Sequence, residues 1–292
     1  MPSHESESLI LRTYPYREAD LIVSFVSRDQ GKLRGIARAA RRPKSRWGSG
    51  LERLSHVQLH YFMRENQDLA RLDRCDLESP PLFLKADYTV SVALDFLAEV
   101  SEKLLPEHEP NDAYFRLLLL VLDEIRTGMQ GELSAVKTPA LAVAGAAVAD
   151  DPASEPSTTP ADSAPGARFS EIPGWLRRTL IYFALWSVRL GGWLPPLNVC
   201  IQSGVELGPE EKTYFDRTQD GLYAADFRNG DSWALSAPSR QLAAQMLRRS
   251  LPDLRDTSDP SEAHDDLLRF LIQRLEFHFE QRLKTAAVLS QL

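Results

Sequence analysis

The first eighty residues contain five short segments whose residue types favour β-strands. The segments cover residues 7–16, 21–27, 32–40, 56–63 and 69–75, and they are rich in β-branched and aromatic residues. Turn sequences such as READ, RDQG and RENQD separate them. Five short antiparallel strands fit a small closed barrel, and a barrel of the OB type has five.

After residue 80 the spacing of apolar residues changes from a period of two towards 3.6, which is typical of helices. The pattern predicts helices over residues 86–106, 112–128, 174–195 and 265–284. Strands followed by helices, with no return to strands, predict an α+β chain of two domains. We expect a five-stranded OB-type β-barrel over residues 1–80 and an all-helical domain over residues 81–292.

One stretch inside the helical half has a different composition. Residues 138–167 consist mainly of Ala, Pro, Ser, Thr and Asp. Such a stretch cannot bury enough side chain to offset the entropy of ordering it, so it is predicted to be a flexible insertion. Helical patterns lie on both sides, which argues against a domain boundary there.

Composition and hydropathy predict a soluble cytoplasmic protein. The chain has 292 residues and a net charge of -7, and Cys75 and Cys200 are its two cysteines, which suits a reducing compartment. Its N-terminal residues lack the pattern of a secretory signal. The longest apolar runs, at 117–122 and 139–149, are shorter than the ~20 residues that span a bilayer.

Basic residues are concentrated in residues 28–46, which hold eight lysines and arginines and one acid, Asp29. The stretch therefore has a net charge of +7, and the rest of the chain sums to -14. Cations along an extended backbone match the phosphates of a nucleic acid, and a loop aromatic can stack on a base. The pattern predicts a nucleic-acid-binding site formed by Lys32, Arg34, Arg38, Arg41, Arg42, Lys44, Arg46 and Trp47.

The strand pattern gives these cations a direction. In a strand over residues 32–40, Lys32, Arg34 and Arg38 share an outward face, whereas Leu33 and Ala37 point into the barrel. The alternative is a solvated edge strand, because lysines and arginines protect sheet edges against aggregation. A tryptophan beside a barrel is also more often packed than stacked on a ligand.

Catalysis has no positive support in the sequence, and we expect a protein that is not an enzyme. No Walker loop, G-x-G-x-x-G or G-x-S-x-G motif occurs. Asp265 and Asp266 suit the first turn of a helix rather than a general acid and base. The following histidines are predicted to be surface or packing residues: His56, His60, His108, His264 and His278.

Three segments resemble a known family. Residues 16–62, 96–125 and 267–285 are similar, in the same order, to the RecO family of bacterial DNA repair and recombination proteins, and GKLRGIARAARRPKSR is the most specific part. The resemblance implies an OB-fold followed by a helical domain, and binding of single- and double-stranded DNA. It also implies annealing of complementary strands and help in recombinase loading. The implied partners are RecR and single-stranded DNA-binding protein, at the nucleoid.

Many members of that family carry a zinc ribbon, and the corresponding region here is residues 195–230. Cys200 stands at the first ligand position and Ser203 replaces the second. The later pair falls among Ala224, Ala225, Phe227 and Arg228. One thiolate cannot supply the four ligands of structural zinc, so we expect no metal and no cofactor. We expect this degenerate zinc-ribbon-like loop to be held by aromatic packing of Tyr214, Phe215, Tyr223 and Phe227.

Two other functions share part of this pattern. An RNA-binding OB-fold protein of translation would have the same barrel and basic loop. A protein–protein adaptor would act through the helical domain, with the basic stretch incidental. Should DNA not bind the barrel, the candidate cations are in the helical half, at Arg177, Arg178, Arg248 and Arg249.

Overall fold

The structure is a computed structural model that describes residues 3–63, 67–79, 82, 86–136, 172–255 and 265–292. The insertion predicted at residues 138–167 lies outside the described residues, as does His264. The elements in the first half are β1 (Ser3–Tyr16), β2 (Asp20–Ser27), β3 (Gly31–Ala37), β4 (His56–Phe62), β5 (Ala70–Leu77), α1 (Tyr88–Leu104) and α2 (Asp112–Val136). Those that follow are α3 (Gly174–Leu190), β6 (Thr213–Phe215), β7 (Trp233–Leu235), α4 (Ala237–Met246), α5 (Asp265–Phe279) and α6 (Lys284–Leu289).

The first five strands form a closed barrel in the order β1-β2-β3-β5-β4. This confirms the predicted fold class of a five-stranded OB-type barrel followed by helices. Not every strand pair is antiparallel, however, because β3 and β5 run parallel where Gly35 faces Ala70 and Ile36 faces Arg71. The third strand also ends at Ala37 rather than at residue 40.

Alternation of side chains gives the barrel two apolar faces. The inner face forms a core from residues such as Val23, Phe25 and Leu33. On the outer face, Leu9 and Val26 belong to the core of the helical region instead. Part of the outer barrel surface is therefore covered by helices.

The helical region is built around α3. Twelve of the 17 residues of α3 are buried, and this helix packs on both α2 and α5. Phe183 of α3 makes edge contacts with Phe96 of α1 and Tyr114 of α2, with ring centroids 6.1 and 6.3 Å apart. In the described part of the chain, none of the helices combines the length and hydropathy that crossing a bilayer requires.

The sequence predicted that the second region would be all-helical, and this prediction is wrong. Strands β6 and β7 pair there as a two-stranded antiparallel sheet. The last predicted helix also breaks, because Glu280 has a φ of 54°, in the left-handed region. The chain therefore leaves α5 at Phe279 and starts the separate short helix α6 at Lys284.

Candidate nucleic-acid interface

The first half of the basic stretch joins the barrel to the helices. Lys32 is 7% exposed, and its Nζ donates a 2.7 Å hydrogen bond to the backbone carbonyl of Glu102 in α1. Burial lowers the pKa of the Lys32 ammonium, and Glu102 partly opposes that shift. Arg34 pairs with Glu107 at 2.8 Å. The two cations at this end of β3 therefore have partners in the helical region: Glu102 lies in α1, and Glu107 lies just after it.

This placement changes the predicted stripe of cations. Alternation in β3 is as expected, because Leu33 and Ala37 belong to the barrel core. The outward face at the start of β3 is nevertheless covered by the helical region, so Lys32 does not belong to the exposed interface predicted for it. Arg34 is exposed but has a carboxylate partner.

The second half of the basic stretch lies on a loop that connects β3 to β4. Five cations on this loop are exposed, and no acidic residue stands between residues 38 and 50. We call these five residues the basic loop cations. They are Arg38, Arg41, Arg42, Lys44 and Arg46.

Backbone hydrogen bonds fix this loop against the β1–β2 hairpin. The Arg41 amide donates to the carbonyl of Ala19 at 2.9 Å, and the Ala39 amide donates to the Asp20 carboxylate at 2.8 Å. Ala39 and Lys44 have φ of 55° and 60°, in the left-handed region where a side chain is strained. The cations are therefore presented by a shaped turn rather than by an extended strand.

Trp47 lies under this loop rather than on its surface. The side chain is 3% exposed and belongs to the barrel core. Its Nε1 donates a 3.0 Å hydrogen bond to the carbonyl of Arg38, and the Arg46 guanidinium lies 4.9 Å from the ring centroid. The indole closes the barrel and holds the loop, so in this structure it is not exposed for the predicted stacking on a base.

The loop also packs tightly at its far end. A Cβ at Gly50 would lie 2.7 Å from the sulfur of Cys75 in β5, so any larger residue there would require the Cys75 side chain to move. Burial raises the pKa of the Cys75 thiol to about 12, with the nearby Asp76 carboxylate adding to the effect. Cys75 is thus a packing residue that supports the loop.

The other predicted arginines divide by exposure. Arg177 and Arg178 of α3 are each 5% exposed, and Arg177 lies 3.2 Å from the Asp265 carboxylate. Both are buried structural residues and are not available to DNA. Arg248 and Arg249, which follow α4, are exposed.

The histidines are in structural surroundings, as predicted for those that are described. His56 lies 2.8 Å from the Glu7 carboxylate, and His278 stacks on Trp193 with ring centroids 4.8 Å apart. Hydrogen bonds from Arg28 and His56 outweigh burial and hold the pKa of Glu7 below its ordinary value. Among the described residues, no group of three or more His, Cys, Asp or Glu side chains is arranged to hold a metal ion.

Hydrogen bonds and aromatic packing hold residues 195–230, which the resemblance aligns with a zinc ribbon. The Cys200 thiol forms hydrogen bonds with Ser203 and with the backbone of Ala224, and together these outweigh burial and lower the pKa of the thiol. Phe215 packs on Trp233 and Phe270, and Tyr223 is fully buried. The predicted packing role of Phe227 is wrong, because this ring is 43% exposed.

Polar groups that the sequence analysis missed hold this region together. Asp216 is 2% exposed and accepts hydrogen bonds from the Thr218 amide at 2.7 Å, the Tyr223 hydroxyl at 2.9 Å and the Asn229 amide at 3.3 Å. Burial opposes ionisation, but these bonds outweigh it and lower the pKa of Asp216. We call this arrangement the Asp216 hub.

Two buried arginines tie the same region to its neighbours. Arg274 of α5 is fully buried and donates to the Asp220 carboxylate at 2.8 Å and to the Asp216 carbonyl at 3.0 Å. Arg240 of α4 donates to the carbonyls of Leu197 and Glu211 at 3.3 and 2.6 Å. Irregular loops have no periodic pattern, so these contacts could not be predicted from residue spacing.

Comparison with known proteins identifies the family of this chain. The profile described as "Recombination protein O N terminal" matches residues 1–81, which contain the barrel, and "Recombination protein O C terminal" matches residues 176–287. Both profiles agree with the resemblance found in the sequence.

Proteins named DNA repair protein RecO are similar along most of the chain. The protein of Koribacter versatilis is 36% identical over 99% of this chain and 98% of its own length. That of Bifidobacterium adolescentis is 28% identical over 81% of this chain and 78% of its own length. That of Anaeromyxobacter sp. strain Fw109-5 is 25% identical over 97% and 94%, respectively. The chain therefore belongs to the RecO family of DNA repair proteins, whose members are recombination mediators rather than enzymes.

Proposed function

We propose that this protein binds single- and double-stranded DNA through the basic loop cations and anneals complementary strands during recombinational repair. The observation that carries the proposal is the cluster of five exposed cations, uninterrupted by an acid, on a loop held by the β1–β2 hairpin. Contacts of lysine and arginine with phosphates supply affinity without reading sequence. Strands held in this way keep their bases available for pairing, which is what annealing requires.

Charge distribution supports a division of labour between the two halves of the chain. Outside residues 28–46 the chain has a net charge of -14, which repels DNA and leaves the basic loop as the preferred site. The acidic surface of residues 81–292 suits protein partners. Family membership supports RecR and single-stranded DNA-binding protein as those partners, and recombinase loading at the nucleoid in the cytoplasm as the outcome.

Charge reversal tests the DNA site directly. In the full chain, the combined substitutions Arg41→Glu, Arg42→Glu and Lys44→Glu should abolish binding of a single-stranded oligonucleotide measured by fluorescence anisotropy. For wild type, log affinity should fall steeply with log salt, by about 0.7 per phosphate contact. Thermal unfolding should change little, because exposed charges contribute only about 0–1 kcal/mol each.

A matched variant and two further probes make the test specific. Arg248→Glu combined with Arg249→Glu changes exposed arginines of the helical region and should leave DNA affinity unchanged. DNA binding that survives the triple substitution, or that does not respond to salt, would overturn the proposal. RNA bound in preference to DNA of matched sequence would favour a role in translation instead, since recognition of the 2'-hydroxyl distinguishes the two.

A further inference from the structure

We propose that Tyr14 and Tyr16, at the end of strand β1, form a base-stacking surface for single-stranded DNA beside the basic loop. This inference rests on the proposed DNA binding and assigns the base contacts that Trp47 cannot make. Tyr14 is 36% exposed and Tyr16 is half-buried. The two side chains lie on the same side of β1, because they are two residues apart in a strand.

The pairing of the strands shows which side this is. Tyr14 faces Ile22 of β2, Ile22 faces Ile36 of β3, and Ile36 faces Arg71 of β5. These four residues make a row across the barrel. The residues that alternate with this row in β2 and β3, such as Val23, are in the barrel core. The row is therefore on the outer surface, where both isoleucines are half-buried and Arg71 is exposed.

Positive charge surrounds the two rings. The guanidinium carbon of Arg12 lies 5.3 Å from the centroid of Tyr14, and that of Arg17 lies 5.1 Å from the centroid of Tyr16. An arginine beside an aromatic ring can bind the phosphate of a nucleotide whose base contacts the ring. Charge complementarity thus favours a nucleic acid over an apolar partner on this surface.

The basic loop is attached to the same hairpin. The Arg41 amide bonds to Ala19, and the Arg41 guanidinium donates to the carbonyl of Glu18 at 3.3 Å. Both acceptors are in the turn that follows Tyr16. The Asp20 carboxylate, at the start of β2, accepts a hydrogen bond from the Ala39 amide, and Glu18 is the exposed acid of the turn. A strand bound to the loop cations therefore passes next to the two tyrosines.

Spacing of the rings favours a single strand over a duplex. Residues two apart in a strand are about 6.8 Å from each other. Bases of a duplex advance by only ~3.4 Å per nucleotide along each strand. Consecutive stacked bases of a duplex cannot lie on both rings, whereas the unstacked bases of an extended strand can.

Oligonucleotides without bases test this surface. Wild type should bind an oligothymidine more tightly than an abasic oligomer of equal length and charge. Removing ring stacking costs about 5- to 150-fold in affinity per base. Tyr14→Leu combined with Tyr16→Leu should reduce oligothymidine affinity to the abasic value and leave duplex affinity unchanged. Tyr88→Leu is the matched control, because Tyr88 is 67% exposed on α1 and should not contribute.

A second measurement does not depend on folding of the double variant. In the wild-type complex, 2-aminopurine in the oligomer should be quenched by stacking on a tyrosine. Absence of quenching, equal wild-type affinity for the two oligomers, or an undiminished base preference in the double variant would each overturn the inference. Failure of the proposed function looks different, because wild type would then bind neither oligomer at low salt.

Discussion

The ammonium of Lys32 and the backbone carbonyl of Glu102 are joined by a 2.7 Å hydrogen bond, which connects strand β3 of the barrel to helix α1. Lys32→Met keeps the apolar stem and removes this donor. Because burial of the charge already opposes its stabilising effect, we expect the free energy of unfolding to fall by only about 1 kcal/mol. DNA affinity and its salt dependence should not change, since the ammonium is not available to phosphate.

Arg42→Met is the comparison for that variant. Arg42 is exposed on the basic loop, so its loss should weaken DNA binding and reduce the salt slope by about 0.7 for a single strand. Stability, measured by urea unfolding, should stay nearly constant. If Lys32→Met weakened DNA binding and Arg42→Met did not, the start of β3 would bind DNA and the basic loop would not.

Gly31 marks another close contact between barrel and helices. It has a φ of 75°, and a Cβ there would clash with the carbonyl oxygen of Glu109, before α2. Gly31→Ala should therefore lower the unfolding midpoint by separating the barrel from the helices. Gly204→Ala is the control, because Gly204 has a φ of 72° and nothing within 4 Å of a Cβ. Only the backbone strain of about 1–2 kcal/mol applies there.

Calorimetry of the two glycine variants measures the contact itself. Both variants share the cost of a left-handed alanine, so the difference between their midpoints reports the clash with Glu109. We expect the larger loss for Gly31→Ala. Equal losses would mean that the turn moves away from Glu109 without cost.

Local pattern predicted the elements well and the environment of single residues poorly. Alternation is a local property, and it correctly placed Leu33 and Ala37 inside the barrel. It also placed Lys32 on the outer face, but which part of that face is covered depends on helices that begin more than fifty residues later. The same limit applies to Trp47 and to Asp216, whose contacts depend on how a loop folds back. Residues in loops and turns do not follow the alternation of a strand or the 3.6-residue period of a helix, so the burial of Trp47 and Asp216 could not be predicted from spacing.

Trp47 gives a direct test of packing against stacking. Trp47→Leu keeps apolar volume and removes both the ring and the donor to Arg38. The loss of stability should be substantial but below the ~3–5 kcal/mol of a change to alanine. At a temperature where the variant is folded, affinity for single-stranded DNA should equal that of wild type. A drop of about 5-fold or more without loss of stability would show that the indole stacks on a base after all.

The Asp216 hub predicts a pH-dependent contribution to stability. In Asp216→Asn, one carboxylate oxygen is replaced by an NH2 group, which cannot accept the hydrogen bonds that surrounding donors make to Asp216. Each buried donor that loses its acceptor costs about 1–3 kcal/mol. Asp226→Asn is the control, because Asp226 is exposed in the same irregular segment. At neutral pH only the first variant should unfold at lower urea.

The direction of the pH effect follows from the lowered pKa of Asp216. A carboxyl whose pKa is depressed by folding adds stability that is fully present above its unfolded pKa of about 3.9 and is lost as pH falls through the folded pKa. The difference in unfolding free energy between wild type and Asp216→Asn should therefore be constant from pH 7 to 5 and shrink below about pH 4. Urea titrations at pH 7, 5 and 3 measure it. A difference that stays constant down to pH 3 would mean that the pKa of Asp216 is the same in the folded and unfolded states, so that its ionisation adds nothing to stability and the hub is held by Arg274 and the buried aromatic rings instead.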